Sequence, residues 1–302
     1  MQRFMITLAA SAAMVAAGVA PAAAQDGPRV FTRSGSWVLD AAEDSCRLAR
    51  AFTNGEDQVS LALERNRADN MVRLVLVSDA IRPFRGAETI GYRFMPTGDQ
   101  RHSRYIHSET PDGQPYFNLG TVLIGGEPAP TPEGLFDLPV YDRAAEQAYA
   151  AGITAIEFND GLSSAIRLET GSLRGAVEAL QACTDDLLGT WGLDWQKHQT
   201  MTRRAAPVGP AFAWIPSGVI GFGDFASLSG ARNPFRVMVG VDGTVTGCHV
   251  HWPSLTERQN AQICDAITAN GRFTPALDAD GQPMASYWMT EYLAGLSRPP
   301  GG

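Results

Sequence analysis

Between Phe235 and Leu293 the hydrophobic pattern changes in a fixed order, and that order leaves few folds open to the segment. Val237, Val239 and Val241 recur at every second position, the mark of a half-buried strand. Asp242-Gly243 follows, two residues that accept the left-handed conformations of a two-residue hairpin turn. The return strand, Thr244 to Trp252, sets Cys248, Val250 and Trp252 on one face and His249 and His251 on the other. Ser254 and Glu257 are spaced as a capping box, so a helix is expected from there. Asn260, Ile263, Cys264 and Ile267 share one stripe of it, and Asn270-Gly271 predicts a left-handed stop. A turn at Asp280-Gly281 leads into a last strand, Met284 to Leu293.

Burying the helix stripe on the apolar face of the return strand brings two sulfurs within reach, which predicts a Cys248–Cys264 disulfide. Four cysteines in all allow three pairings, and keeping each bond within its own domain joins Cys46 to Cys183. Closing so long a loop stabilises a chain by about 4 to 5 kcal/mol in the chain-entropy model.

With Val241-Asp242-Gly243 in the hairpin, Arg272-Phe273-Thr274-Pro275-Ala276 after the helix and Gly281-Gln282-Pro283 at the next turn, residues 225–293 resemble the C-terminal domain of TonB-type energy transducers. The paired cysteines on the second strand and helix resemble a subset of that family. The resemblance implies capture of an extended envelope peptide or protein by strand addition to a sheet edge. The edge would be Met284 to Leu293, with Met284, Ser286, Trp288, Thr290 and Tyr292 on one face; the competing reading is that Trp288 and Tyr292 cover the core. Three features depart from a transducer. The N-terminus reads as cleaved, a folded domain replaces the long Pro-rich spacer, and Asp224-Phe225-Ala226 stands where the family carries a glutamine-proline segment. The main expectation is therefore a periplasmic interaction protein, with a transducer component retaining residues 1–24 as anchor, or an envelope enzyme with its site in residues 30–195, as alternatives.

The cleavage reading rests on Arg3, the apolar run from Phe4 to Val19, and small residues at Ala22 and Ala24 ahead of Gln25. Removing residues 1–24 takes the net charge from −8 to −9, and an acidic chain without a basic stripe excludes nucleic acid as a partner. No membrane span is expected in the mature chain.

Residues 28–195 are expected to form an α+β domain, a mostly antiparallel sheet with helices collected late. Strands are predicted at Ser36–Asp40, Cys46–Phe52, Val59–Glu64, Met71–Ser78, Thr89–Met95, Arg104–His107 and Tyr116–Ile124. The proline-studded stretch from Gly125 to Pro139 reads as an exposed loop. A short helix (Asp142–Ala151), a hairpin (Ile153–Phe158 with Ala165–Glu169) and a helix from Ser172 follow. On that helix Leu173, Ala176, Val177, Leu180, Cys183, Leu187 and Trp191 make a core-facing stripe. Residues 196–216 read as a linker, and 217–297 as the TonB-like domain.

Motifs for chemistry are sparse. His249 and His251 have the spacing that lets two imidazoles reach one metal, but further ligands are lacking and Cys248 points away, so no metal is assigned. His102 and His107 read as surface histidines. Gly221 to Ala226 matches a GxGxxA pattern without the strand and helix it needs. Asp278 to Gly281 reads as a turn rather than a calcium loop, and Asp185-Asp186 as a solvated helix edge. No catalytic residue and no cofactor is expected.

Overall fold

The computed structural model describes residues 27–125, 140–209, 211–216, 218–219, 234–251, 253 and 255–290. The GxGxxA stretch, the leader, Trp252, Ser254, Tyr292 and all but Gly125 of the proline-studded loop lie outside them.

The chain is mixed α+β and mostly sheet. Ten strands make one sheet: β1 (Arg29–Ala41), β2 (Cys46–Thr53), β3 (Gln58–Arg65), β4 (Met71–Val77), β5 (Thr89–Met95), β6 (Arg101–Arg104), β7 (Ile106–Glu109), β8 (Pro115–Leu123), β9 (Ala155–Phe158) and β10 (Ile166–Glu169). Their order is β6-β5-β9-β10-β1-β2-β3-β4-β8-β7, antiparallel except for the β1–β10 pair. The end strands β6 and β7 are joined through Tyr105 alone, so one continuous stretch pairs with β5 in its first half and β8 in its second. The single strand expected at Arg104–His107 is the middle of this crossing. Ser103 Oγ donates to the Leu119 carbonyl across the seam, and the sheet is nearly closed.

The alternation that predicted the strands also fills this sheet. Leu61 and Leu63 on β3, Val72, Leu74 and Leu76 on β4, and Ile90, Tyr92 and Phe94 on β5 point into one core. Helices α1 (Arg143–Gly152) and α2 (Arg174–Thr190) complete it, α2 through Leu173, Ala176, Val177, Leu180 and Leu187. The Cys46–Cys183 disulfide ties β2 to α2.

Two polar ladders repeat one arrangement. Arg47, Glu64 and Arg73 stand in register across β2, β3 and β4, and Arg93, Glu157 and Arg167 across β5, β9 and β10, with the carboxylate on the middle strand. Each glutamate thus meets its charge partners without leaving the sheet surface. Beneath, the buried Arg65 pairs with Glu146 of α1, which also accepts from Tyr141 and Gln181. Asp185 is buried too, bonded by Arg143 and Gln199. This corrects the expected solvated edge: only neighbouring Asp186 faces water, because consecutive helix positions diverge by about 100°.

The stretch expected to be a linker carries α3 (Trp195–Gln199), β11 (Ala206–Pro207) and a 3-10 turn at Ala211–Trp214, and Ala205 and Trp214 enter a second core. β12 (Phe235–Val239), β13 (Val245–Val250), α4 (Glu257–Asn270), β14 (Phe273–Thr274), β15 (Ala276–Leu277), β16 (Pro283–Met284) and β17 (Ser286–Thr290) follow. β11 pairs with β14, β15 with β16, and the main C-terminal sheet runs β13-β12-β17. Among the described residues no helix is long and apolar enough to cross a membrane.

Local details depart from the sequence reading. Val237 and Val239 are buried, but Val241 is exposed in a turn longer than two residues, closed by Gly240 N–H to the Thr244 carbonyl. Gly243 has φ +79°, and a Cβ there would stand 2.0 Å from the Phe273 carbonyl oxygen. The capping box is Thr256 with Gln259, not Ser254 with Glu257: the helix opens two residues later, where Thr256 still has a side-chain acceptor three positions on. Gly271 ends the helix extended, with φ −62°, rather than left-handed. A glycine is needed there because a Cβ would meet the Ile267 carbonyl at 2.5 Å.

Candidate functional site

The three-stranded C-terminal sheet is covered on both faces along β12 and β17. Phe235, Val237 and Val239 lie under Ile263 and Ile267 of α4, where the Cys248–Cys264 disulfide fastens β13 to the helix. The opposite face packs against the first unit. Tyr287 and Met289 join Leu188 and Leu193 in a small core, and the Tyr287 hydroxyl accepts from the Ala68 backbone N–H. The Tyr287 ring sits between Trp191, edge-on at 5.4 Å, and His198, stacked at 6.2 Å. Burial lowers the His198 pKa and raises that of Tyr287, so both rings are neutral at pH 7.

The predicted edge residues divide. Met284 is buried and lies in β16, paired with Ala276, outside the sheet. Ser286, 2% exposed, is 3.0 Å from His198 Nε2, and Trp288, partly buried, packs on Phe273 and Trp214 against the C-terminal core. Thr290 closes β17 opposite Phe235. The backbone is arranged differently from these side chains: β17 has β12 on one side and, among the described residues, no strand on the other.

Next to this strand the sheet's docked face carries a charged cluster. Arg236 on β12 is directly opposite His249 on β13. Its Nη1 donates to Asp44 Oδ1 at 2.8 Å and lies 3.1 Å from His251 Nε2, while its guanidinium carbon is 3.8 Å from the centroid of Trp191. His249 Nε2 bonds Asp44 Oδ2 at 2.6 Å. Burial opposes the charge on Asp44, but the bonds from Arg236 and His249 prevail and hold its carboxyl below the usual range. Burial and then the Arg236 cation push the His251 imidazole down to about 4. The two histidines share a face, as their alternation requires, but do not converge on a common point: one is committed to a carboxylate and the other faces a guanidinium. Among the described residues no cluster of three or more His, Cys, Asp or Glu could hold a metal ion.

Elsewhere His102 Nε2 bonds Asp160 at 2.9 Å on the surface, and His107 stacks on Phe117. Asp278 turns the chain between β15 and β16, its Oδ1 accepting from the backbone N–H of Asp280 and Gln282. Asp44, Arg236 and Tyr287 were not singled out by sequence reasoning, and Trp191 only as part of the core-facing stripe of α2. One signal was present: Tyr287-Trp288-Met289 is apolar without alternation, the mark of a strand covered on both faces. No protein-family model, curated protein or solved structure matches the chain.

Proposed function

We propose that the chain is an exported binding protein of the cell envelope whose C-terminal unit takes an extended segment of a partner protein along β17 by strand addition. The observation that carries this reading is the asymmetry of β17. Its side chains are engaged above and below the sheet, while its outer backbone edge has no strand beside it among the described residues. An unpaired edge supplies main-chain hydrogen bonds to any extended partner. Two disulfides, with no free cysteine among the described residues, suit an oxidising compartment such as the periplasm. The hairpin, helix and strand order of this unit, with its TonB-like motifs, supports the same mode of binding.

Ala285, exposed and immediately before β17, is the position for a photo-crosslinking residue in the exported protein. Adducts with one envelope protein, mapping to an extended segment of it and lost when that segment carries a proline, are the expected result. Adducts confined to the protein's own chain would overturn the reading, and an outer-membrane receptor as the adduct would bring the transducer alternative forward.

A further inference from the structure

Past Thr32, where β1 stops pairing with β10, the large sheet carries a bulge built around an arginine. Pairing with β2 jumps from Ser34 opposite Ala51 to Val38 opposite Ala49, so Gly35, Ser36 and Trp37 together stand opposite Arg50. The Gly35 carbonyl accepts from Arg50 Nη2 at 2.5 Å. The Trp37 ring, set edge-on against Phe52, has the Arg50 guanidinium carbon 5.8 Å from its centroid. Arg33 pairs with Phe52, two places along β2 from Arg50, and the period of two puts both arginines on one face. The head of Arg33 rests on Gly171, between β10 and α2, where a Cβ would meet its Nη1 at 2.9 Å.

Acids outnumber Lys and Arg by 32 to 24 in the chain, and Arg47, Arg73, Arg93 and Arg167 on the same sheet each meet a carboxylate. Among the described residues Arg33 and Arg50 meet none. Glu169 stands opposite Thr32 and so belongs to the other face of the sheet. The first turn of α2 carries no acid, and its Arg174 is itself bonded to Glu178. The two cations also act on each other: burial and then the charge of Arg33 lower the pKa of Arg50. Arg50 Nε is closed to water and has no acceptor, while the exposed Arg33 makes no hydrogen bond among the described residues.

We propose that Arg33 and Arg50 form a binding site for a tetrahedral oxyanion, a phosphate or sulfate group held by both guanidiniums at the β1 bulge. A guanidinium only donates, through a planar fork of N–H groups, and here one fork has a single protein acceptor and the other has none. A flat carboxylate matches one such fork, whereas a phosphate presents oxygens in several directions and can accept from two forks at once. Its double charge also balances the pair and ends their mutual repulsion. The Trp37 ring fixes the Arg50 head, so one half of the site is formed before the anion arrives. The inference goes beyond strand addition: the site belongs to the first unit and uses no residue of β17.

The test is calorimetric titration of the full-length, oxidised protein with inorganic phosphate, chloride being adjusted to hold the ionic strength constant. One saturable site is expected, weakened about tenfold or more in Arg33→Gln and in Arg50→Gln. Arg85→Gln, at an exposed position elsewhere on the first unit, binds as wild type does. Acetate binds about tenfold more weakly than phosphate, or less. Tighter binding of glycerol 3-phosphate than of inorganic phosphate assigns the site to a phosphate monoester, and the reverse order assigns it to the free anion. The absence of saturable phosphate binding, an Arg33→Gln variant equal to wild type, or acetate binding as well as phosphate overturns the proposal. Should Arg50→Gln fail to fold, nitrogen-15 spectra of the arginine Nε–H groups in wild type decide. Arg33 and Arg50 signals that shift and saturate together support the site, and shifts spread evenly over the exposed arginines refute it.

Discussion

The guanidinium of Arg236 lies over the indole of Trp191, 3.8 Å from its centroid, and these two residues come from opposite sides of the junction. A cation over a desolvated ring contributes about 2 kcal/mol, and here the same cation also meets the Asp44 carboxylate. Arg236→Ala is expected to lower stability by about 2 to 4 kcal/mol, because it removes the donor that Asp44 and His251 share in a mostly closed site. Arg236→Lys recovers little, since an ammonium cannot both lie on the ring and reach Asp44 and His251. Urea denaturation of the two variants beside wild type checks both statements.

Inside the large sheet, Arg65 depends on Glu146 for its countercharge, and both side chains are almost wholly buried. Glu146→Ala should cost about 3 to 5 kcal/mol, since it strands a guanidinium away from water. The paired replacement Arg65→Met with Glu146→Leu removes both charges at similar volume and is expected to restore most of the loss. A double-mutant cycle from denaturation midpoints measures it.

The Cys46–Cys183 bond closes a loop with a sequence separation of 137, whereas Cys248–Cys264 closes one of 16. By chain entropy the first is worth about 5 kcal/mol and the second about 3 kcal/mol. Replacing Cys46 and Cys183 by alanine should therefore lower the thermal midpoint more than the same change at Cys248 and Cys264, and calorimetry orders the two.

Glu157 gives an acid-side signature. Burial raises its pKa, but the hydrogen bonds from Arg167 and Arg93 outweigh that and leave it below the ordinary glutamate value of 4.5. Its contribution is thus fully present above that value and is lost as pH falls through the folded one. Glu157→Gln is expected to cost about 1 to 2 kcal/mol at pH 6 and less at an acidic pH below the folded value, where the wild-type carboxylate is itself protonated. Denaturation midpoints at the two pH values decide; an equal loss at both would contradict the assignment.

Much of this architecture was legible because it depends on local alternation. Leu61, Leu63, Val72, Leu74 and Leu76 announce their strands by spacing, the α2 stripe announces its helix, the Cys248–Cys264 disulfide follows from the faces on which its cysteines fall, and Cys46–Cys183 follows from keeping each bond within its own domain. The junction was hidden because it is built from residues hundreds of positions apart. Nothing near Asp44 points to Arg236 or His249, and nothing near Ala68 points to the Tyr287 hydroxyl. The buried Asp185 was missed for the same reason: its partner Arg143 sits on another helix. The site was therefore half visible, as a strand with a suggestive face, and its true surroundings belonged to tertiary structure.

The seam at Tyr105 sets an order of events. Strands β5 and β8 lie at opposite ends of the sheet, and the nine residues from Arg101 to Glu109 can satisfy both only after each end has been built. The first half of that stretch closes on β5 nearby in sequence, but its own sheet reaches completion through β9 and β10, which the chain supplies some fifty residues later. Closure is therefore a late step in assembly, and a ribosome-bound chain lacking β9 and β10 would present this circle still open.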